Sequence, residues 1–298
     1  MNYNNHHFKK LLLKPITNLI DGIVECVHIL SSIKNDFYKR NIKYSIKDYA
    51  IGIIDVVKNN TSWNSYSGLI KGNTLRKKHY EWVKLGVYDS VYKKSLNKYI
   101  KTIPITTELK YQSIDSTFIE DIHGSKFASY NNLYKRRKGE SSRWIKITSI
   151  VTTKGILISV NIHPANNYDS PLLPATIDKR IINCNTKKYS NHNRFKQYLL
   201  ADSGYDSKEN NKKLVDNGYI PIIVQNKRNI KNKKLIRKMN NKQKQIYKKR
   251  TIIENYHSWI KKFSKIKSLY ERNIDYYKGL LLLSISVIIN RRIIKNKK

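Results

Sequence analysis

Acidic side chains are scarce in this sequence, 21 against 59 Lys and Arg, and three of them stand where divalent-ion chemistry would need them. Asp115 follows the apolar Ile114 in LKYQSIDST, a β-rich run, and Asp202 ends the apolar segment YLLA and opens the loop SGYDS. A carboxylate at a strand end is held rigidly, which suits Mg2+, a cation that demands near-octahedral oxygen geometry. Glu254 lies in YKKRTIIENYHSWIK, which reads as an amphipathic helix. At about 100° per residue, Tyr247, Arg250, Glu254 and Lys261 fall within an arc of roughly 60°, while Ile252, Ile253 and Trp259 face elsewhere, toward a core. An acid with Arg four residues before it and Lys seven after suits a metal ligand whose neighbours hold phosphate oxygens. Taken singly, each feature has a plain structural account. Arg250 and Glu254 make an ordinary i,i+4 ion pair, and an isolated Asp commonly caps a turn.

The elements that must position these residues change character along the chain. From Met1 to about Lys101 the pattern is helical, with breaks at Asn59 to Trp63 and at Gly72-Asn73. Thr74 starts a predicted helix ending at Leu85, with Gly86 as a left-handed stop, and Arg76, Lys77 and Lys78 on it are candidates for phosphate contacts in a helix-turn-helix. From about Glu108 strands take over, and RWIKITSIVTTKGILISVNIHPA reads as two strands joined near Lys154-Gly155. A helix is expected from Ser170 to about Ile182, a strand in FKQYLLAD, a helix in DSKENNKKLVDNG stopped by Gly218, and a strand in YIPIIV. Helices then run from about Lys231 to Lys295, broken between Ile266 and Asp275. The expected division is a helical region over 1–105 and an α/β domain with closing helices over 106–298.

A formal charge of +38 requires a polyanionic partner, and nucleic acid fits better than a membrane surface because the charge is spread along the whole chain. The apolar stretches around Leu11–Leu30 and Leu280–Ile289 are short or interrupted and read as core helices, and no cleavable leader is evident. Cys26 and Cys184 are too few for a disulfide framework or a zinc set, which suggests a reduced, intracellular setting. His257 reads as a solvated or hydrogen-bonded histidine, His6-His7 as part of a terminus, and Trp144 and Trp259 as core.

These motifs resemble the DDE transposases of bacterial insertion sequences, in the group whose last acid sits in the signature Y-x2-R-x3-E-x6-K. Tyr247, Arg250, Glu254 and Lys261 complete that signature, Asp115-Ser116-Thr117 is similar to the family's first acid motif, and ADSGYDS is similar to its second. The stretch from Gly139 to Ser170, with Asn167 and Asp169, and HYEWVKLGVYDSVY upstream also look like family segments. The resemblance implies an RNase H-like mixed sheet flanked by helices behind an N-terminal helical DNA-binding region. It implies Asp115, Asp202 and Glu254 as catalytic residues and as ligands of two Mg2+ ions, about 3.5 to 4 Å apart, for which Mn2+ can substitute. Tyr247, Arg250 and Lys261 would hold the flanking DNA phosphate. Implied partners are double-stranded DNA, both terminal inverted repeats and target, and a second copy of the chain on that DNA. The setting would be DNA-associated: a bacterial nucleoid, a nucleus or a viral factory. The second and third acids are 52 positions apart (254 − 202), so the large β insertion some relatives carry there is absent. The competing readings are a transposon-derived DNA-binding protein or nuclease without transposition, and a basic RNA-binding protein.

Overall fold

The structure is a computed structural model that describes residues 14–33, 43–59, 61–135, 141–182, 196–227 and 238–296. Cys184, His6-His7 and much of the basic run over 228–237 lie outside the described residues. Two compact units result, one formed by Met1–Ile103 with Ile260–Lys298 and the other by Pro104–Trp259.

The helical unit opens with α1 (Lys14–Ile33), α2 (Ile46–Lys58), α3 (Gly72–Leu85) and α4 (Val87–Ile100). In α1 the buried side chains are Ile16, Leu19, Ile20, Ile23 and Val27, spaced three and four apart as one apolar stripe requires. By length and composition alone Ile16–Ile33 could cross a membrane; here that stripe packs against α4 and the last helix of the same unit. Ser45 caps α2 through a reciprocal pair with Asp48, which satisfies amides the first turn leaves open. Gly86, at φ 77°, ends α3 with its amide on the Val83 carbonyl, a left-handed conformation that side chains resist.

The second unit begins with α5 (Ile105–Leu109) and then forms a sheet from β1 (Tyr111–Asp121), β2 (Ser129–Lys135), β3 (Ser141–Thr152), β4 (Leu157–Pro164), β5 (Gln197–Ala201) and β6 (Tyr219–Ile223). The strand order is β2-β3-β1-β5-β6, with β4 also paired to β3. β1, β2 and β4 run antiparallel to β3, whereas β1, β5 and β6 are mutually parallel. Between strands lie α6 (Leu172–Asp178) and α7 (Lys208–Asp216); α8 (Asn241–Tyr247), a 3-10 turn (Lys248–Thr251) and α9 (Ile252–Ile260) follow. One sheet face buries Ile114, Ile150, Ile158, Leu173, Leu199, Tyr205 and Leu214, and the other packs Leu200 and Ile222 against Ile246. This is the mixed sheet flanked by helices that the element order leads one to expect.

Three details differ from the expectation. The helix after Pro164 is shorter, because the Ile181 amide pairs with the Ile158 carbonyl and draws the chain back to the sheet. β2 has no counterpart in the sequence reading; its two asparagines lower its strand propensity, and the sheet supplies what propensity does not. The closing helices α10 (Ser264–Lys267) and α11 (Ile274–Lys295) group with the N-terminal helices rather than with the sheet. The apolar length of α11 from Leu280 to Leu283 is buried, and Asn290 reaches Ser95 of α4 at 2.9 Å.

Candidate active site

Asp115 and Asp202 come together through strand register. Tyr111 lies opposite Tyr198 and Ser113 opposite Leu200 in the parallel β1/β5 pair. Two residues further on, the same register sets Asp115 opposite Asp202, on one face because side chains alternate with a period of two. Asp202 follows the last residue of β5, as the sequence suggests. Asp115, expected at a strand end, lies within β1, which continues to Asp121 because β3 pairs with it there, Asp115 opposite Ser149. It nonetheless stands where the parallel partner runs out, and that leaves room above it.

Each aspartate commits one oxygen to the backbone. Ser116 N–H donates to Asp115 Oδ1 at 2.8 Å, and Gly204 N–H donates to Asp202 Oδ1 at 2.9 Å. Both remaining oxygens turn toward one guanidinium: Arg250 Nη2 is 2.8 Å from Asp115 Oδ2 and 3.7 Å from Asp202 Oδ2. Its other arm, Nη1, is 3.4 Å from Glu254 Oε1 in the first turn of α9. The three acids proposed from sequence therefore converge, with Arg250 as their common cation. Asp115 is 19% exposed, and burial pushes its carboxyl up to about 6; Arg250 and the Ser116 amide oppose the rise, whereas Asp202 and Asp169 add to it. Glu254 is the outermost of the three, 64% exposed.

The signature residues do not share one uninterrupted α-helix. Tyr247 ends α8, Arg250 sits in the 3-10 turn, Glu254 opens α9, and Lys261 lies beyond it in the chain of the helical unit. A 3-10 turn winds at about three residues per turn, so a single 100° step cannot hold across it. Arg250 and Glu254 still meet. Tyr247 packs partly buried against Leu200, Ile222 and Ile246, and burial raises its hydroxyl pKa. Burial lowers the Lys261 ammonium. On α3, Lys77 is exposed and Arg76 half-buried, while Lys78 pairs with Glu81 and lies 5.2 Å from the Tyr49 ring centre. His257 is buried beside Tyr256, a core position.

Tyr205 and Asp169, both in stretches similar to the family's, complete the surroundings together with Lys146, which the sequence reading did not single out. Tyr205, fully buried, shares a hydrogen bond of 2.9 Å with the Ser116 hydroxyl, which in turn meets Thr148. Asp169 lies beside Gly204 and is paired at 3.0 Å with the buried Lys146 of β3. A lysine in the apolar run RWIKITSIV was the available sign of that pair.

Among the described residues, no set of three or more His, Cys, Asp or Glu is grouped closely enough to hold a metal as it stands. The donor chemistry fits one all the same. Two rigid aspartates each turn the oxygen not tied to the backbone toward one point, a glutamate closes the set, and a cation, the guanidinium, already stands between them.

The profile of the transposase DDE domain matches residues 110–289. No curated protein matches by sequence. Among solved structures the chain is similar to the piggyBac transposase in a synaptic complex with hairpin DNA, with a TM-score of 0.51 over 94% of this chain and 73% of that one, at 13% identity. That likeness concerns the fold. The profile match takes in more than half of the chain and reaches from the strand that carries Asp115 past the helix that carries Glu254, so the protein belongs to the transposases with a DDE domain.

Proposed function

We propose that the protein catalyses Mg2+-dependent cleavage at transposon ends and strand transfer into target DNA, with Asp115, Asp202 and Glu254 as its catalytic residues. The observation that carries this reading is the convergence of two register-matched aspartates and a helix-borne glutamate on one cation. Carboxylates so placed would hold two divalent ions, which supply an activated water or 3′-hydroxyl and stabilise the leaving oxygen. The protein's own part is positional. Asp115 Oδ2 and Asp202 Oδ2 are fixed because their partner oxygens are tied to the backbone, so little freedom is lost when DNA is bound. Arg250 neutralises the acids, and its guanidinium can turn to a DNA phosphate as the two-pronged donor that phosphate oxygens match. Tyr247 would support the same phosphate, and Lys261, the last residue of the signature, is a further candidate for a DNA phosphate. With its pKa raised to about 6, the Asp115 carboxyl must be deprotonated before it can ligate a cation. In the helical unit, α3 with Arg76, Lys77 and Lys78 is the candidate for docking on duplex DNA, and two copies of the chain would pair two ends.

Asp115→Ala, Asp202→Ala and Glu254→Ala are each expected to abolish Mg2+-dependent cleavage of duplexes carrying the element's own ends while leaving DNA affinity within about twofold, since phosphate contacts dominate affinity. Cleavage persisting in any of the three would remove that residue from the site.

A further inference from the structure

A buried ammonium is costly unless it is paired, and a hydrophobic residue would fill the middle of β3 without that cost. Lys146 nevertheless occupies it, 5% exposed, between Phe118 of β1 and His163 of β4 in the register of the sheet. Its Nζ donates to the Asn167 carbonyl at 2.6 Å and to Asp169 Oδ1 at 3.0 Å, and lies 5.0 Å from the Phe118 ring centre. The ammonium thus gathers the segment that follows β4. Asp169 in turn backs onto Gly204, where an added Cβ would stand 3.5 Å from Asp169 Oδ2 and 3.1 Å from Asp202 Oδ1. Gly204 is the residue whose amide fixes Asp202. A second buried clip joins the same two segments: Asn210, 2% exposed, donates to the carbonyls of Ser170 and Tyr205, both at 2.9 Å. Tyr205 then reaches Ser116, the neighbour of Asp115.

We propose that Lys146 and Asp169 are positioning residues of the active site: the pair of buried Lys146 and half-buried Asp169 braces the turn that holds Asp202 and keeps a fourth carboxylate beside the metal-binding acids. The inference rests on the assignment of Asp115 and Asp202 as metal ligands. Such outer-shell partners typically matter by about 10- to 100-fold in metal affinity or activity. Because Lys146 acts on the geometry of the turn and touches no substrate, its loss alters turnover and metal binding and spares DNA binding.

The test uses the full chain with Lys146→Met, Lys146→Arg, Asp169→Asn, the Lys146→Met/Asp169→Asn double variant and Asp115→Ala. Three quantities are read: Mn2+ binding by electron paramagnetic resonance, kcat and KM for cleavage of a duplex end, and DNA affinity without metal. Asp169→Asn and Lys146→Met should each weaken Mn2+ binding and lower kcat by about 10- to 100-fold with KM and DNA affinity near the parent's. Lys146→Arg should recover part of the loss, and the double variant should be little worse than either single one, as for residues that act as a unit. Should Lys146→Met fail to fold, Asp169→Asn decides, since it keeps the size and hydrogen-bonding capacity of the side chain. Parental Mn2+ binding and kcat in Asp169→Asn overturn the proposal. Failure of the underlying assignment looks different: Asp115→Ala would then keep its Mn2+ binding as well.

Discussion

Among single residues, the electrostatics of the site turn on Asp115. Withdrawal from water lifts its pKa to about 6, and Arg250 reverses only part of that lift. An unfolded chain titrates its aspartates near pH 4, so between about pH 4 and 6 the folded protein keeps a proton that the unfolded chain has released. Stability must then fall as pH rises through that window, and the cost is complete above about pH 6. Asp115→Asn imitates the protonated side chain and escapes the cost. Metal-free Asp115→Asn is therefore expected to melt at a higher temperature than the parent near pH 8, with the difference gone below about pH 4, as read by scanning calorimetry. Equal Tm values at the higher pH would mean that Arg250 compensates the buried charge fully. The same protonation should make Mg2+-dependent cleavage fade below about pH 6, because a protonated carboxyl cannot ligate a cation. Both aspartates were legible from sequence only in combination with Glu254 and its signature, since an isolated Asp commonly caps a turn. Asp169 stood in a family-like stretch, but its pairing with Lys146 and its closeness to Gly204 are products of the fold that its place in a connection does not announce.

Whole elements show how the third acid is carried. Glu254 is presented by α9, and the far end of that helix is seated by Trp259 against the β3/β4 turn. Gly155 in that turn has φ 71°, and a Cβ there would stand 2.4 Å from Trp259 Cζ3. Gly155→Val meets two obstacles at once, a left-handed backbone that a β-branched residue resists and a ring that fills the space. It is expected to lose about 1 to 3 kcal/mol of stability in urea titration and to lower cleavage by displacing α9. Trp259→Ala should relieve only the steric part, so the double variant should be less unstable than the two single losses combined. Strict additivity would place Trp259 outside this contact. The hairpin itself was readable, because Lys154-Gly155 separates two apolar runs. The interruption of the signature helix was not: the residues Lys248 to Thr251 favour α-helix as readily as a 3-10 turn, and the tighter winding follows Tyr247, which packs on Leu200 and Ile222. For the same reason α11, apolar enough to join any core, gave no hint in its residues that it would be buried with α1 and α4.

For the molecule as a whole, the excess of cations is larger than its own acids can absorb. Several carboxylates are already spent on lysines of the same unit, Glu25 on Lys94, Asp89 on Lys278 and Asp178 on Lys213. Exposed lysines such as Lys77 can displace counterions from DNA, so affinity should fall steeply with salt, by about 0.9 in the logarithmic slope for each phosphate contact. The three candidates on α3 are then not equivalent. Lys77 is exposed, whereas Lys78 is paired with Glu81 and lies against Tyr49, so much of its charge is already compensated. If α3 docks on the duplex, Lys77→Ala should reduce the salt slope by close to one contact, and Lys78→Ala by clearly less. Fluorescence anisotropy of a labelled duplex across a salt series measures both slopes. The comparison between an end sequence and random DNA separates two contributions, because loss of a phosphate contact lowers both affinities alike while loss of a base-reading side chain lowers only the first. Identical slopes for the parent, Lys77→Ala and Lys78→Ala would move the DNA-docking surface away from α3, leaving the +38 charge to act through other faces of the chain.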